Sequence, residues 1–172
     1  MKICDKLASA INDQINFEFT SAYLYLSLSN FWKEKGLNGI ANWFGVQVKE
    51  EIAHAEIFIN YVHDRDGVVN LSPINLVKTE WGSLVEAFTD TLEHERKVTE
   101  RIYALYALAE EEKDYASRQM LNWYIAEQVE EEANVMGILD SLRLVGEDGT
   151  GLLQIDRELA QRTYVAPQGV KE

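Results

Sequence analysis

Glu51 and His54 stand three residues apart in QVKEEIAHAEIF, so any helix that carries them holds a carboxylate and an imidazole on one face. A lone Glu-x-x-His arises often by chance, and its weight here comes from acids elsewhere in the chain that occupy otherwise apolar faces. At helical spacing, Glu18 has Ile11, Ile15, Ala22 and Tyr25 as neighbours, and Glu51 itself has Phe44, Val48, Ala55 and Phe58. Glu95 lines up with Phe88, Leu92, Val98 and Ile102, while Glu127 and Glu131 share a face with Met120, Trp123, Tyr124 and Ile138. Side chains three, four and seven residues apart share a helix face, so these carboxylates are expected to point into a core. A buried, unpaired carboxylate is costly and normally protonates or is lost. Several together are tolerated when a multivalent cation sits among them. Carboxylates mixed with one imidazole suit a pair of iron ions.

Four long helices are predicted to bring these residues together, over about 4–35, 40–65, 84–111 and 115–145. The first ends at Lys35-Gly36, the second before Arg65-Asp66-Gly67, and Lys113-Asp114 separates the third from the fourth. Short links make each pair an antiparallel hairpin. The stretch DGVVNLSPINLVKTEWGS between the second and third helices has no helical period, and it is long enough to cross the full length of a bundle. Leu152, Ile155 and Leu159 mark a short fifth helix over 151–163, packed on a neighbour, before a flexible tail at 166–172. The whole is one all-α domain over residues 1–165. The midpoints of the long helices fall near about residues 19, 52, 97 and 130, so Glu18, Glu51, Glu95 and the Glu127–Glu131 pair lie within roughly 3 Å of one level.

The remaining composition narrows the function. Of 29 acidic residues, most need no special role: Glu110, Glu111 and Glu112 end a helix, and Glu86, Glu93 and Glu100 lie off the apolar stripe. His63 and His94 also sit off the acid-bearing face and are expected at the surface. A net charge of −13 argues against nucleic acid as a partner and suits a cationic one. The single cysteine, Cys4, excludes an internal disulfide and a CxxC metal knuckle, and it is expected to be an inert thiol. MKICDKLASAINDQ has no apolar leader core, and no run of 18 apolar residues exists, so a cytoplasmic protein without a membrane partner is expected.

With these residues in view, the chain resembles the bacterial non-haem ferritins. The likeness rests on NFEFTSAYLYL around Glu18, QVKEEIAHAEIF around Glu51 and NWYIAEQVEEEANV around Glu127, together with the crossover and the glycine-rich start of the fifth helix. It implies the ferritin-like bundle and a ferroxidase that stores iron as mineral in a shell of 24 like subunits. In that pattern Glu18, Glu51 and His54 hold the first iron, with Glu51 bridging, and Glu95 and Glu131 complete the second. Gln128 and Tyr25 match the glutamine and tyrosine beside the site. Glu50, Glu127 and Glu130, with Glu131, match a third iron position. Two departures separate the chain from relatives. Bacterioferritin has a methionine haem ligand where Ile52 stands, so no haem is expected, and its second Glu-x-x-His is replaced by Glu131-x-x-Asn134. Rubrerythrin-like peroxidases share that second histidine motif and often carry a cysteine-rich module, which one cysteine cannot build.

Carboxylate-rich ligands favour Fe(III) over Fe(II), so they ease oxidation of the bound pair by O2 or H2O2. The second position lacks a histidine and is expected to hold iron more weakly, which suits turnover into a store. Two rivals follow from the same residues. A di-iron oxidase or peroxidase would use the site without a hollow shell. A structural or adaptor bundle with protonated core acids would take up no metal.

Overall fold

The structure is a computed structural model, and it describes residues 1–75 and 77–167. Five helices follow one another: α1 (Asp5–Glu34), α2 (Asn38–Asp64), α3 (Leu84–Glu111), α4 (Tyr115–Val145) and α5 (Gly149–Leu159). No strand occurs among the described residues. The α1/α2 and α3/α4 hairpins form a four-helix bundle, with α5 laid against α2 and α4. The fifth helix, expected over about 151–163, starts two residues earlier and stops at Leu159. Its start is set by Asp148, whose carboxylate accepts the free amides of Thr150 and Gly151. Of the tail expected at 166–172, residues 168–172 lie outside the described residues.

Side-chain caps also fix the starts of α3 and α4. Ser83 Oγ accepts from Glu86 N, and Asp114 accepts from Ser117 N. Asp114 has a second role, because Arg65 at the end of α2 grips its two oxygens at 3.1 and 2.7 Å. A forked guanidinium–carboxylate pair of this kind fixes both distance and orientation. It pins the end of one hairpin to the beginning of a helix in the other.

The interior is divided. One apolar cluster gathers Tyr25, Trp32, Phe44, Phe88, Leu139 and their neighbours towards one end of the bundle. A second gathers Leu7, Ile11, Phe58, Ile102, Leu121 and Tyr124 towards the other. On every long helix the residues between the two clusters include buried polar ones: Glu18 on α1, Gln47, Glu51 and His54 on α2, Glu95 on α3, Gln128 and Glu131 on α4. A polar belt thus lies across the middle of an otherwise apolar core.

The crossover between α2 and α3 has no regular structure of its own, and α1 supplies its hydrogen bonds. Asn12 Nδ2 donates to Val68 O at 2.9 Å while its Oδ1 accepts from Asn70 N at 2.6 Å. Asn16 repeats the pattern with Asn70 O at 2.9 Å and Ser72 N at 2.7 Å. Further along, Ser27 Oγ donates to Lys78 O at 2.8 Å. The chain therefore climbs α1 in register from residue 12 to residue 27, and so travels the length of the bundle.

Gly39, in the first turn of α2, determines how closely α5 packs. A Cβ there would lie 1.6 Å from the backbone oxygen of Asp156. Because backbone and not a flexible side chain stands in the way, the two helices would have to separate. Gly39→Ala is expected to destabilise the protein by roughly 1–3 kcal/mol through overpacking, read as a lowered thermal midpoint, whereas Gly137→Ala, inside α4 with open space around it, should hold or raise the midpoint because alanine is the better helix former.

Candidate metal centre

Glu18, Glu51 and His54 meet in the polar belt. A ligand atom from each lies within 4.8 Å of the others, and all three residues are buried. Glu51 and His54 come together because three residues on α2 turn them to the same side, leaving His54 Nδ1 3.7 Å from Glu51 Oε2. Glu18 arrives from the antiparallel partner helix. Its Oε1 accepts from Gln14 Nε2 at 2.8 Å. Glu18 Oε2, Glu51 Oε2 and His54 Nε2 have no hydrogen-bond partner among the described residues, although all are buried. Leaving buried polar atoms unpaired is costly, and three such atoms on residues that meet in one group are what a cation site needs.

Glu95 and Glu131 approach from the second hairpin. Tyr25 donates its hydroxyl to Glu95 Oε1, and Gln128 Nε2 donates to Oε2 at 3.2 Å. Glu131 Oε2 accepts from Gln47 Nε2 at 3.0 Å. Burial, then the neighbouring acids, pushes Glu51 well above the usual carboxylate range. Burial raises Glu95 to about 7, against the pull of its Tyr25 and Gln128 hydrogen bonds. Burial again, with Glu95 and Glu50 adding to it, raises Glu131 to about 8. Tyr25, sealed in and facing acids, is raised well above the ordinary phenol range. Without a metal, then, part of this belt carries protons.

The other expected residues lie at the margin. Glu127 is half-buried, with Oε1 4.0 Å from His54 Nε2. Glu130 is exposed. Glu50, next to Glu51 but turned away from it, is held by Arg162 at 2.7 Å. Ile52 is partly exposed at 38 %.

Sequence reasoning overlooked several contributors. Gln14 precedes Glu18 by one helical turn, and that spacing was available to find it, whereas Gln47 serves Glu131 on another helix and no local spacing marks it. Arg101 Nε donates to Gln14 Oε1 at 2.8 Å, so a cation orients the amide that holds Glu18. Tyr124 donates to the backbone oxygen of His54 at 2.7 Å. His94, expected at the surface, is instead half-buried: it stacks on Phe17 at 5.3 Å, meets Tyr25 edge-on at 6.0 Å and shares a 2.7 Å hydrogen bond with Ser21. The reason is that α3 packs on α1 through a face wider than its apolar stripe. Burial, helped by Lys97, lowers His94 to about 4, and it stays neutral. His63 is exposed as expected.

Comparison with known proteins agrees with this geometry. Residues 8–145 match the model of the ferritin-like domain. A bacterial non-heme ferritin of Bacteroides fragilis is 40% identical over 160 residues, covering 93% of this chain and 99% of the relative. One from Staphylococcus aureus is 36% identical over 158 residues, with 92% and 95% covered. Among solved structures, an open pore ferritin from the hyperthermophilic archaeon Archaeoglobus fulgidus superposes with a TM-score of 0.93 at 45% identity, covering 94% of this chain and all of that one (100%). A form of that ferritin engineered to be closed gives a TM-score of 0.94 at 44% identity, with 95% and 100% covered. Two hairpins with one long crossover, a buried glutamate–histidine group at the level where all four helices meet, and likeness along nearly the whole length make this chain a member of the ferritin-like family.

Proposed function

We propose that this protein stores iron: it takes Fe(II) into the polar belt, oxidises it there with O2 or H2O2, and deposits Fe(III) as mineral inside a shell of 24 copies in the cytoplasm. The observation that carries this is the unpartnered, buried set of Glu18, Glu51 and His54. In this reading Glu51 would bridge two ions, with Glu18 and His54 serving the first and Glu95 and Glu131 the second. The bound ions supply the redox chemistry, and the protein supplies spacing, orientation and charge. Gln14, oriented by Arg101, holds one oxygen of Glu18 and leaves the other free for metal. Both oxygens of Glu95 are engaged, by Tyr25 and Gln128, so the second ion competes with existing hydrogen bonds and is held more weakly. Weaker holding suits release of product. A third position, bounded by Glu127, Glu130 and Glu50 with Glu131 shared, would take iron leaving the pair. Among the described residues no helix is long and apolar enough to cross a membrane.

Fe(II) added in air, with iron(III) absorbance and particle size followed together, tests the whole reading. Oxidation by a large hollow particle is expected. Oxidation by a small one would favour an oxidase or peroxidase without storage, and no oxidation would leave only a structural bundle.

Three variants of that experiment address the parts. Glu18→Ala or His54→Ala is expected to slow fast Fe(II) oxidation by at least about 10–100-fold, given that even residues supporting a ligand have effects of this size, while the shell still assembles. An unaltered rate in either would refute the ligand assignment. Tyr25→Phe is expected to retain iron binding and alter the course of the oxygen reaction in rapid-mixing spectra; identical intermediates would reduce the hydroxyl to a cap on Glu95.

The third test is pH. Glu95 and Glu131 titrate at about 7 and 8 in the fold against 4.5 when free, so protons favour the metal-free fold. That stabilisation is complete below 4.5 and is lost as pH rises through about 8. In chelator the thermal midpoint should therefore fall between about pH 5.5 and about pH 8.5. Added Zn2+ requires deprotonated acids, so the stabilisation it gives should grow over the same interval. A metal-induced shift that is constant with pH would show that the bound ion displaces no protons from these acids.

A further inference from the structure

The segment that follows α5 does not leave the bundle. Asn42, on the second turn of α2, donates its side-chain amide to the carbonyls of Leu159 at 3.2 Å and Arg162 at 2.9 Å. Ile40 N adds a bond to the Asp156 carboxylate at 2.9 Å, beside the close approach that Gly39 permits. Residues 160–162 are thereby folded back along α2, and they deliver one side chain towards the acid belt. The Arg162 guanidinium lies 4.7 Å from the centroid of the Trp43 ring, donates from Nη1 to Trp43 O at 3.4 Å, and reaches Glu50 Oε2 with Nη2 at 2.7 Å. The side chains are only 20% and 17% exposed, so this ion pair is shielded from the screening that weakens surface pairs.

Glu50 lies within electrostatic reach of His54, Glu127 and Glu130. His54 is 2% exposed, its Nε2 has no hydrogen-bond partner among the described residues, and that atom looks towards Glu127 Oε1 at 4.0 Å. A metal ion settling among Glu127, Glu130 and Glu50 would meet a carboxylate already occupied by a positive charge.

We propose that Arg162 is a tethered cation that competes with a metal ion for Glu50, so that the docked C-terminal segment sets how weakly the third metal position is held. The proposal rests on the functional reading given above. A guanidinium that takes one oxygen of Glu50 removes a ligand atom and neutralises the charge that this carboxylate offers a divalent ion. At the effective dielectric of a partly buried site this weakens binding by about tenfold or more. An arriving ion displaces the guanidinium from Glu50, while Trp43 offers its ring and carbonyl to hold the arginine nearby. Iron is thus kept from lodging permanently between the di-iron pair and the store.

The test uses the full assembled protein with Zn2+ alone, by solution titration and by crystals soaked and measured at the zinc edge. Wild type, Arg162→Lys, Arg162→Gln, Glu50→Gln and the Glu50→Gln/Arg162→Gln double variant are compared. Zinc at Glu18, Glu51 and His54 is expected in all five. At the third position Arg162→Gln should bind about tenfold or more tighter than wild type, with a stronger anomalous peak, and Arg162→Lys should resemble wild type. In the Glu50→Gln background, Arg162→Gln should add nothing, because the arginine acts through that carboxylate. Equal third peaks in wild type and Arg162→Gln, or an equal gain with and without Glu50, would overturn the proposal. Absence of zinc from Glu18, Glu51 and His54 in every protein would instead remove the functional reading on which it rests.

Discussion

Everything in this protein is arranged around the cost of taking carboxylates out of water. Glu18, Glu51, Glu95 and Glu131 are all at most 3% exposed and sit at one level between two apolar clusters. Side-chain amides and a phenol offset part of that cost: Gln14 serves Glu18, Gln47 serves Glu131, and Tyr25 with Gln128 serves Glu95. Glu51, at the centre of the group, receives no such donor on Oε2, and with Glu18 Oε2 and His54 Nε2 it makes the deficit local. The belt is therefore unevenly satisfied. Its α1/α2 half leaves buried polar atoms unpaired, whereas the acids of its α3/α4 half are hydrogen-bonded.

That unevenness follows from the topology. The triad of Glu18, Glu51 and His54 comes entirely from one antiparallel hairpin, whose short turn fixes the height of Glu18 against Glu51 and His54. The other two acids are brought in by a second hairpin, which is held to the first by the long crossover, the Arg65–Asp114 clamp, core packing and side-chain hydrogen bonds such as Tyr25–Glu95 and Gln47–Glu131. One half of the site is thus placed by local chain geometry, and the other by tertiary assembly.

How far the sequence could be read follows the same division. The inward acids were legible because a glutamate on an apolar helical stripe contradicts its surroundings, and Glu18, Glu51, Glu95 and Glu131 are all buried. The helices and the crossover were legible because glycines and charged pairs punctuate long apolar periods. Residues that contradict nothing were missed. Gln14 is an ordinary polar residue until a carboxylate is known to lie one turn away, Gln47 meets Glu131 only across the bundle, and His94 looked superficial because the contact of α3 with Phe17 and Ser21 of α1 depends on how two helices pack. Arg162 belongs to a segment expected to be helical. Its meeting with Glu50, 112 positions earlier, depends on a non-helical return that no local pattern encodes.

The fastening of the crossover has a consequence for the order in which the molecule assembles. Asn12 and Asn16 offer Val68, Asn70 and Ser72 the donors and acceptors that a neighbouring β-strand would otherwise provide. Those amides line up only once α1 is helical, so the crossover has nothing to pair with in an unformed chain. The first hairpin must consequently act as a template. A crossover held along α1 in this way carries the chain from the end of the first hairpin to the start of the second. Two asparagines on α1, one of them buried, thereby hold the connection on which the threading of the four helices depends.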